Sequence, residues 1–457
     1  MILTCMGMAV GTGNIWRFPR EVAAHGGGTF LIPWFIFLFL WSIPLLMVEF
    51  SIGKGTRHGP FGAFQHALGS KASWMGGFIS ICAMMIMCYY AVITGWTFRY
   101  VGYAVSGSLA GLNGEQTLGV FDALRGSSTA IVCHIAAVAV AILLVAKGAR
   151  SIERVNKILI PTLIAILILG AIRSLTLDGA SSGLAYLFHV EWHRLAEPGH
   201  WIAGLSQSAW STGAGWGLML SYSVYARDQD DPVTTPIATG LGNNFIEIMV
   251  GLMMFPAIFA LVGPDFLADM MASRSQGGIA FQVAPILFSE MAGGQIIGLL
   301  FFLGLASAAL TSLIAMMELS ARFFQDFRLS RGTALSLTAG LCLVLGIPSA
   351  LSDNMFDNQD FVWGVGLIVS GLFLALFVIH KGVNRFALEF LFRNRQSVPA
   401  WFPIAIGLIV VEALILMGWW LIAYPTYAIQ CIWQWGLVVL TFFILRSRLV
   451  KISEDGA

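Results

Sequence analysis

The sequence predicts an all-α integral membrane protein with twelve transmembrane helices, two of them broken in mid-span. Three observations carry this. Of 457 residues, 58% are hydrophobic and 11% charged, against an average near ~25% charged in soluble chains. Apolar stretches long enough to span a bilayer, about 20 residues each, are centred near Ala9, Phe39, Met87, Ala137, Ile164, Gly217, Gly251, Leu305, Leu341, Val369, Val410 and Val438. Two of these stretches, around Gly11 and Gly213, carry glycines where a helix loses stability.

Other classes fall away on the same composition. A formal net charge of +1 gives no reason to expect a nucleic-acid partner. The six cysteines, Cys5, Cys82, Cys88, Cys133, Cys342 and Cys431, sit in apolar runs without metal spacing. There is no P-loop, no His-Glu-x-x-His and no nucleophile spaced from a base, so neither a pump nor an intramembrane enzyme is expected. The first apolar stretch has no small-residue cleavage site, so it reads as a span rather than a signal peptide. The longest polar linkers, Ser106–Ser127, Ser174–His200 and Gly263–Gln295, are too short for a separate domain. Lysine and arginine placement sets the orientation. All 25 fall on one side except Arg17, Arg20, Arg99, Arg125, Arg173, Arg194 and Arg274. This puts both termini in the cytoplasm of a cell whose inner (plasma) membrane holds the chain.

Span 1 begins almost at Met1 and contains Gly7-Met8-Ala9-Val10-Gly11-Thr12-Gly13-Asn14-Ile15-Trp16-Arg17-Phe18-Pro19. Small residues let membrane helices pack closely, but that does not explain an amide and a guanidinium directly after the glycines. The helix is expected to be unwound there, with backbone polar groups turned toward something bound. Gly26–Gly28 turn the chain into span 2, which ends near Glu49. Span 3 carries Tyr89 and Tyr90; a membrane-buried tyrosine needs a hydroxyl partner, and Tyr90 is a site candidate. Span 4 holds His134, read as a core histidine. Span 5 contains Pro161 as a kink. His189 and His193 stand four apart before span 6 and read as loop residues. Span 6 repeats the anomaly in Ser211-Thr212-Gly213-Ala214-Gly215-Trp216-Gly217. Two interrupted helices five spans apart mark the site of an inverted-repeat transporter. One transporter domain, 1–457, is expected: spans 1–5 (1–175) and 6–10 (200–392) form the two repeats, with spans 11 and 12 (400–450) appended. Span 7 places Asn243 and Glu247 on one face. Span 8 carries Thr311-Ser312 and then Glu318. Asp353, Asp357 and Asp360 precede or begin span 10.

These motifs resemble the neurotransmitter:sodium symporter family over nearly the whole chain, and especially its bacterial leucine and hydrophobic amino acid transporters. The span 1 motif, His25-Gly26-Gly27-Gly28, Ile32-Pro33, the span 6 break and Ala308-Ala309-Leu310-Thr311-Ser312 follow in the family's order. The resemblance implies a leucine-transporter-type 5+5 inverted repeat and two sodium sites, with no organic cofactor. The first sodium would take Ala9, Asn14, Ser211 and Asn243. The second would take Gly7, Val10, Ala308, Thr311 and Ser312. Sodium needs oxygen ligands, and unwound helices free carbonyls for it. An amino acid carboxylate would meet the amides around Thr12 and Gly13 and the Tyr90 hydroxyl, as anions do at helix N-termini. Its ammonium would meet carbonyls near Ala9, Trp210 and Ser211. Ile86, Tyr90, Trp210, Gly213, Trp216, Ser312 and Met316 would line the side-chain pocket. Monoamine carriers of the family have an aspartate where this chain has Gly11, so an amino acid is expected, and because nothing charged lines the pocket, a neutral one.

The resemblance also implies gates. Arg17 and Asp360 would close the outside. Tyr225 and Asp326 would belong to the inside, although the arginine and tryptophan arm that latches there in the family is not in this sequence. Met8 and Trp34 replace more usual polar or tyrosyl residues. Chloride-dependent animal relatives have a serine where this chain has Glu247, and Gln207 points the same way. A carboxylate at that place would supply the charge that chloride lends, so chloride-independent symport is expected. A non-transporting receptor or a channel on the same fold is the second reading, and intact ion ligands at two breaks argue against it. The partners implied are the substrate amino acid and the lipid bilayer; no oligomeric state can be read from the residues.

Overall fold

A computed structural model describes residues 1–109, 111–112, 114–263, 279–291, 293–393 and 396–454. Arg274 and Arg395, counted in the charge distribution, lie outside the described residues. Hydrocarbon offers the backbone no hydrogen-bond partner, so spanning segments must satisfy themselves as helices. Every regular element among the described residues is accordingly helical. The helices of six residues or more are, in chain order, α1 (Ile2–Ala9), α2 (Thr12–Ala24), α3 (Gly28–Thr56), α4 (Pro60–Leu68), α5 (Ser73–Ser106), α6 (Gly114–Leu124), α7 (Ser128–Val145), α8 (Ala149–Leu175) and α9 (Ala180–Phe188). There follow α10 (Pro198–Ser211), α11 (Leu218–Ser223), α12 (Thr234–Leu261), α13 (Ala284–Glu290), α14 (Gly294–Asp326), α15 (Arg331–Leu351), α16 (Asp353–Lys381), α17 (Trp401–Ala423) and α18 (Pro425–Glu454). Among the described residues, α3, α5, α7, α8, α12, α14, α15, α16, α17 and α18 are long and apolar enough to cross a membrane.

The two remaining apolar stretches are broken where the glycines are. Between α1 and α2 the chain runs extended, with φ −75° and ψ 108° at Val10 and φ −127° and ψ −170° at Gly11. Between α10 and α11 it turns left-handed at Gly213 (φ +69°), Gly215 (φ +92°) and Gly217 (φ +77°), a region that side-chain-bearing residues rarely adopt.

Helix α5 is the most enclosed of the long helices and α18 the least. Leu143, Val344, Ile422 and Ile444 point outward from the peripheral helices, as a lipid-facing surface requires. His134 of α7 is fully buried, in keeping with a core role.

Helix α3 runs along both halves of the second broken helix. A Cβ at Gly204 of α10 would lie 2.7 Å from the Trp34 nitrogen of α3. A wide turn at Leu38–Ser42 brings the Ser42 hydroxyl to the Ser208 hydroxyl (2.8 Å) and carbonyl (3.0 Å), and the Thr212 hydroxyl lies 3.0 Å from Ser42 Oγ. At the far end Gly53 meets α11 so closely that a Cβ would overlap the Leu220 carbonyl oxygen.

Candidate functional site

The broken stretches face each other across a cavity of about 560 Å³. Ala9, Gly11, Thr12, Gly13 and Asn14 line it from the first break, Trp210, Ser211, Gly213 and Trp216 from the second. Tyr90, Ser312 and Met316 complete the inner wall. Ile86 corrects the expectation: it is fully buried in the apolar core and is absent from the cavity wall. Its counterpart is Ile93, one turn to the other side of Tyr90.

At the start of α2 the orphan backbone donators of a helix N-terminus find specific partners. The Thr12 N–H donates to the Tyr90 hydroxyl at 3.0 Å, and the Thr12 hydroxyl lies 3.1 Å from the same oxygen. The Gly11 N–H donates to Asn14 Oδ1 at 2.8 Å. A Cβ at Gly11 would stand 2.9 Å from Tyr90 Oη and 2.8 Å from Ser312 Oγ, so a larger residue there would crowd both hydroxyls. A Cβ at Gly13 would meet nothing within 4 Å.

Two groups of buried oxygens flank the break. In the first, Asn14 Nδ2 donates to Asn243 Oδ1 at 2.8 Å, and Asn243 Nδ2 donates to Ser211 Oγ at 3.1 Å. This ties α2, α10 and α12 together beside Ala9. In the second, the Thr311 hydroxyl lies 3.0 Å from the Ala308 carbonyl and 3.4 Å from that of Val10; the Ser312 hydroxyl lies 3.1 Å from Val10 O. Carbonyl, carboxamide and hydroxyl oxygens of this kind suit a hard cation.

Glu247 is fully buried. Gln207 Nε2 donates to its Oε1 at 2.6 Å and the Trp34 indole N–H to its Oε2 at 2.7 Å. The sequence pointed to Gln207; the role of Trp34 was not legible. A buried carboxylate is retained only with such donors.

Beyond the inner wall the cavity passes Arg17 and Asp360 and ends at Trp420, Tyr424 and Tyr427. Arg17 Nη2 donates to Ser206 Oγ at 2.8 Å, its Nε lies 3.6 Å from Glu21 Oε1, and the guanidinium stands 5.2 Å over the Trp210 ring. Trp210 in turn packs edge-on to Trp216 at 5.6 Å.

The opposite end is closed around Tyr225, which the resemblance named, by Glu318, Arg322 and Arg331, to which it gave no role there. The Tyr225 hydroxyl donates to Glu318 Oε1 at 2.5 Å. Arg331 Nη2 is 2.8 Å from Glu318 Oε2, and Arg322 Nε is 3.2 Å from Oε1. Arg331 also donates to the Val145 carbonyl at 2.7 Å, joining α14 and α15 to α7. Asp326 lies elsewhere: it accepts from the Gly59 N–H at 3.1 Å and the Gly62 N–H at 2.9 Å, capping α4. Thus Tyr225 and Asp326 are engaged by different partners. A second missed residue is Glu49, fully buried in α3. It accepts from the Gly215 N–H at 2.7 Å and the Leu220 N–H at 3.2 Å, holding the unwound segment between α10 and α11. A glutamate near the end of a span was the only sequence signal for it.

Comparison with known proteins points to one family. The model of the sodium:neurotransmitter symporter family matches residues 1–118 and 117–389. An uncharacterized sodium-dependent transporter of Bacillus subtilis is 29% identical over 398 residues, covering 82% of this chain and 85% of the relative. One of Haemophilus influenzae is 30% identical over 372 residues, covering 78% and 79%. The crystal structure of MhsT in complex with L-phenylalanine superposes with a TM-score of 0.80 at 31% identity, covering 92% of this chain and 97% of that one.

Proposed function

Since the chain belongs to the sodium:neurotransmitter symporter family, we propose that it carries a neutral amino acid into the cell with two sodium ions, by alternating access and without chloride. The observation that carries this reading is the extended backbone at Val10–Gly11, set between Thr12 and Tyr90 on one side and Thr311 and Ser312 on the other. In this reading the ten long helices and the two broken ones are twelve spans, arranged as two inverted repeats of five with α17 and α18 added. The termini are cytoplasmic, and the membrane is the plasma membrane.

The residues divide the work by chemistry. The Thr12 and Gly13 amides and the Tyr90 hydroxyl take the substrate carboxylate, favoured by the positive end of α2. Carbonyls at Ala9, Trp210 and Ser211 take the ammonium. Ala9, Asn14, Ser211 and Asn243 take one sodium, and the substrate carboxylate completes that group, which couples the two. Gly7, Val10, Ala308, Thr311 and Ser312 take the other. Met8, Trp216 and Met316 offer the side chain an apolar surface, which supports an uncharged substrate. Arg17 and Asp360 draw together above it when the outside closes, and the Tyr225–Glu318 cluster parts when the inside opens.

The test is uptake by purified protein in liposomes under an inward sodium gradient, screened against the twenty amino acids. Accumulation of at least one neutral amino acid only with the gradient is expected. Absence of sodium stimulation for all twenty would sink the proposal. Asn14→Ala should raise the half-saturating sodium concentration about tenfold, equivalent to ~1.4 kcal/mol, with binding recovered at high sodium. Thr311→Ala should raise the sodium requirement without changing which amino acid is preferred. Normal binding by both variants at low sodium would show the ligand assignment to be wrong.

A further inference from the structure

Arg57 stands in the turn that joins α3 to α4, with its backbone in the left-handed region (φ +61°). Among the described residues, Arg328 is the only other non-glycine residue there. A side chain makes this conformation costly, and such outliers persist where the surroundings over-determine them. Here the surroundings are explicit. Arg57 Nη1 donates to the Val224 carbonyl at 2.8 Å and to the Ala226 carbonyl at 2.6 Å. Val224 caps the end of α11, where a helix leaves its last carbonyls unused and favours a cation. The two carbonyls are also those on either side of Tyr225. Lys54 of α3 continues the grip, donating to the Asp228 and Asp230 carbonyls at 3.0 and 2.7 Å. Just past Arg57 the same turn is fastened to α14, because the Gly59 N–H donates to Asp326. Tyr225 reaches α14 by its other end: its hydroxyl donates to Glu318, and Arg322 stands 4.3 Å over its ring. The contacts therefore close a ring from α14 through Gly59 and Arg57 to the backbone at Tyr225, and back to α14 through the phenol.

We infer that Arg57 is a positioning residue of the inner closure: by clamping the carbonyls on both sides of Tyr225, it aims the phenol at Glu318. The inference rests on the alternating-access reading proposed above. Two neighbouring carbonyls bound to one nitrogen fix the direction in which the intervening side chain leaves the backbone. Hydrogen bonds from a charged donor are about twice as strong as neutral ones, which suits a clamp outside regular structure. When the inside opens, the bond between Tyr225 and Glu318 breaks while Arg57 keeps the backbone in place. The phenol then meets the same carboxylate on the return. A merely structural arginine would matter whatever stood at position 225. A positioning arginine matters only while there is a hydroxyl to aim.

The experiment crosses Arg57→Gly with Tyr225→Phe and adds Arg57→Lys as the conservative variant, each a full chain with a single gel-filtration peak. Glycine adopts a positive φ at no steric cost, so Arg57→Gly removes the clamp without straining the turn. The readout is the rate at which N-ethylmaleimide modifies Cys5, followed by peptide mass spectrometry. Cys5 is fully buried in α1 and lies within electrostatic reach of Tyr222, in the turn before Tyr225. Arg57→Gly and Tyr225→Phe should each raise that rate about tenfold, the size of one lost polar contact. The double variant should match Tyr225→Phe within about twofold, and Arg57→Lys, which keeps a cationic donor, should stay within about threefold of wild type. Cys82 of α5, also fully buried, should react as in wild type throughout. Wild-type reactivity of Cys5 in Arg57→Gly, effects that multiply to about a hundredfold in the double variant, or Cys5 and Cys82 rising together would each overturn the positioning role. The labelling needs no transport, so it decides this role separately from the liposome uptake that decides symport.

Discussion

Uptake by the Glu247→Ser protein is expected to require chloride, whereas wild-type uptake is expected to be the same in chloride and gluconate. In the symport proposed above, two sodium ions would bring two positive charges into the site, and a zwitterionic substrate would bring none net. Glu247 is the fully buried carboxylate beside them, held by Trp34 at 2.7 Å and Gln207 at 2.6 Å. Removing one partner of a buried charge arrangement costs about 3–5 kcal/mol, so uptake without chloride should fall by about a hundredfold or more. The serine leaves the indole and carboxamide donors facing the space of the lost carboxylate, where an anion can take their hydrogen bonds. A proton carried back by Glu247 on the empty return step, as the same proposal expects, would appear as internal alkalinisation during uptake. Stimulation of the unmodified protein by chloride would remove Glu247 from this role.

Glu49→Leu should leave too little stability for a folded transporter. The carboxylate holds the Gly215 and Leu220 amides of a segment whose glycines prevent it from satisfying itself as a helix. Hydrogen bonds to charged groups contribute about 1.5–3 kcal/mol each, and the two amides left behind would be buried. Glu49→Gln keeps the shape and one acceptor oxygen, so it should fold with a lower melting temperature and weaker substrate binding. Thermal unfolding in detergent separates the cases. A Glu49→Leu protein that melts with wild type would show that α3 does not hold the second break.

Much of this site was legible because its chemistry conflicts with its surroundings. Glycines, Asn14 and Arg17 do not belong together inside an apolar span, and they are where α1 gives way to α2. The Asn243–Glu247 spacing put both on one face, and the face meets Asn14 and Gln207. What stayed hidden was long-range choice of partner. Glu318 and Asp326 are both acidic and both near the end of α14. Only the packed structure assigns the first to Tyr225 and the second to the exposed amides of α4. Ile86 and Ile93 lie about one turn to either side of Tyr90, and helical spacing cannot tell which turn reaches the cavity. Glu49 and Trp34 have partners in distant spans, and nothing local announces them.

The way α3 lies against the second broken helix has a dynamic consequence. Gly204, Ser208, Gly215 and Leu220 are all fastened to one rod, above, at and below the break. The first broken helix also packs on one neighbour, α12, with both halves, but the amides at its break donate to Asn14 and Tyr90 rather than to that neighbour. Flexing is therefore expected first at Val10–Gly11. In deuterium exchange, amides of α1 should open by local excursions and label early, while those of α11 should wait for larger openings that carry α3 with them.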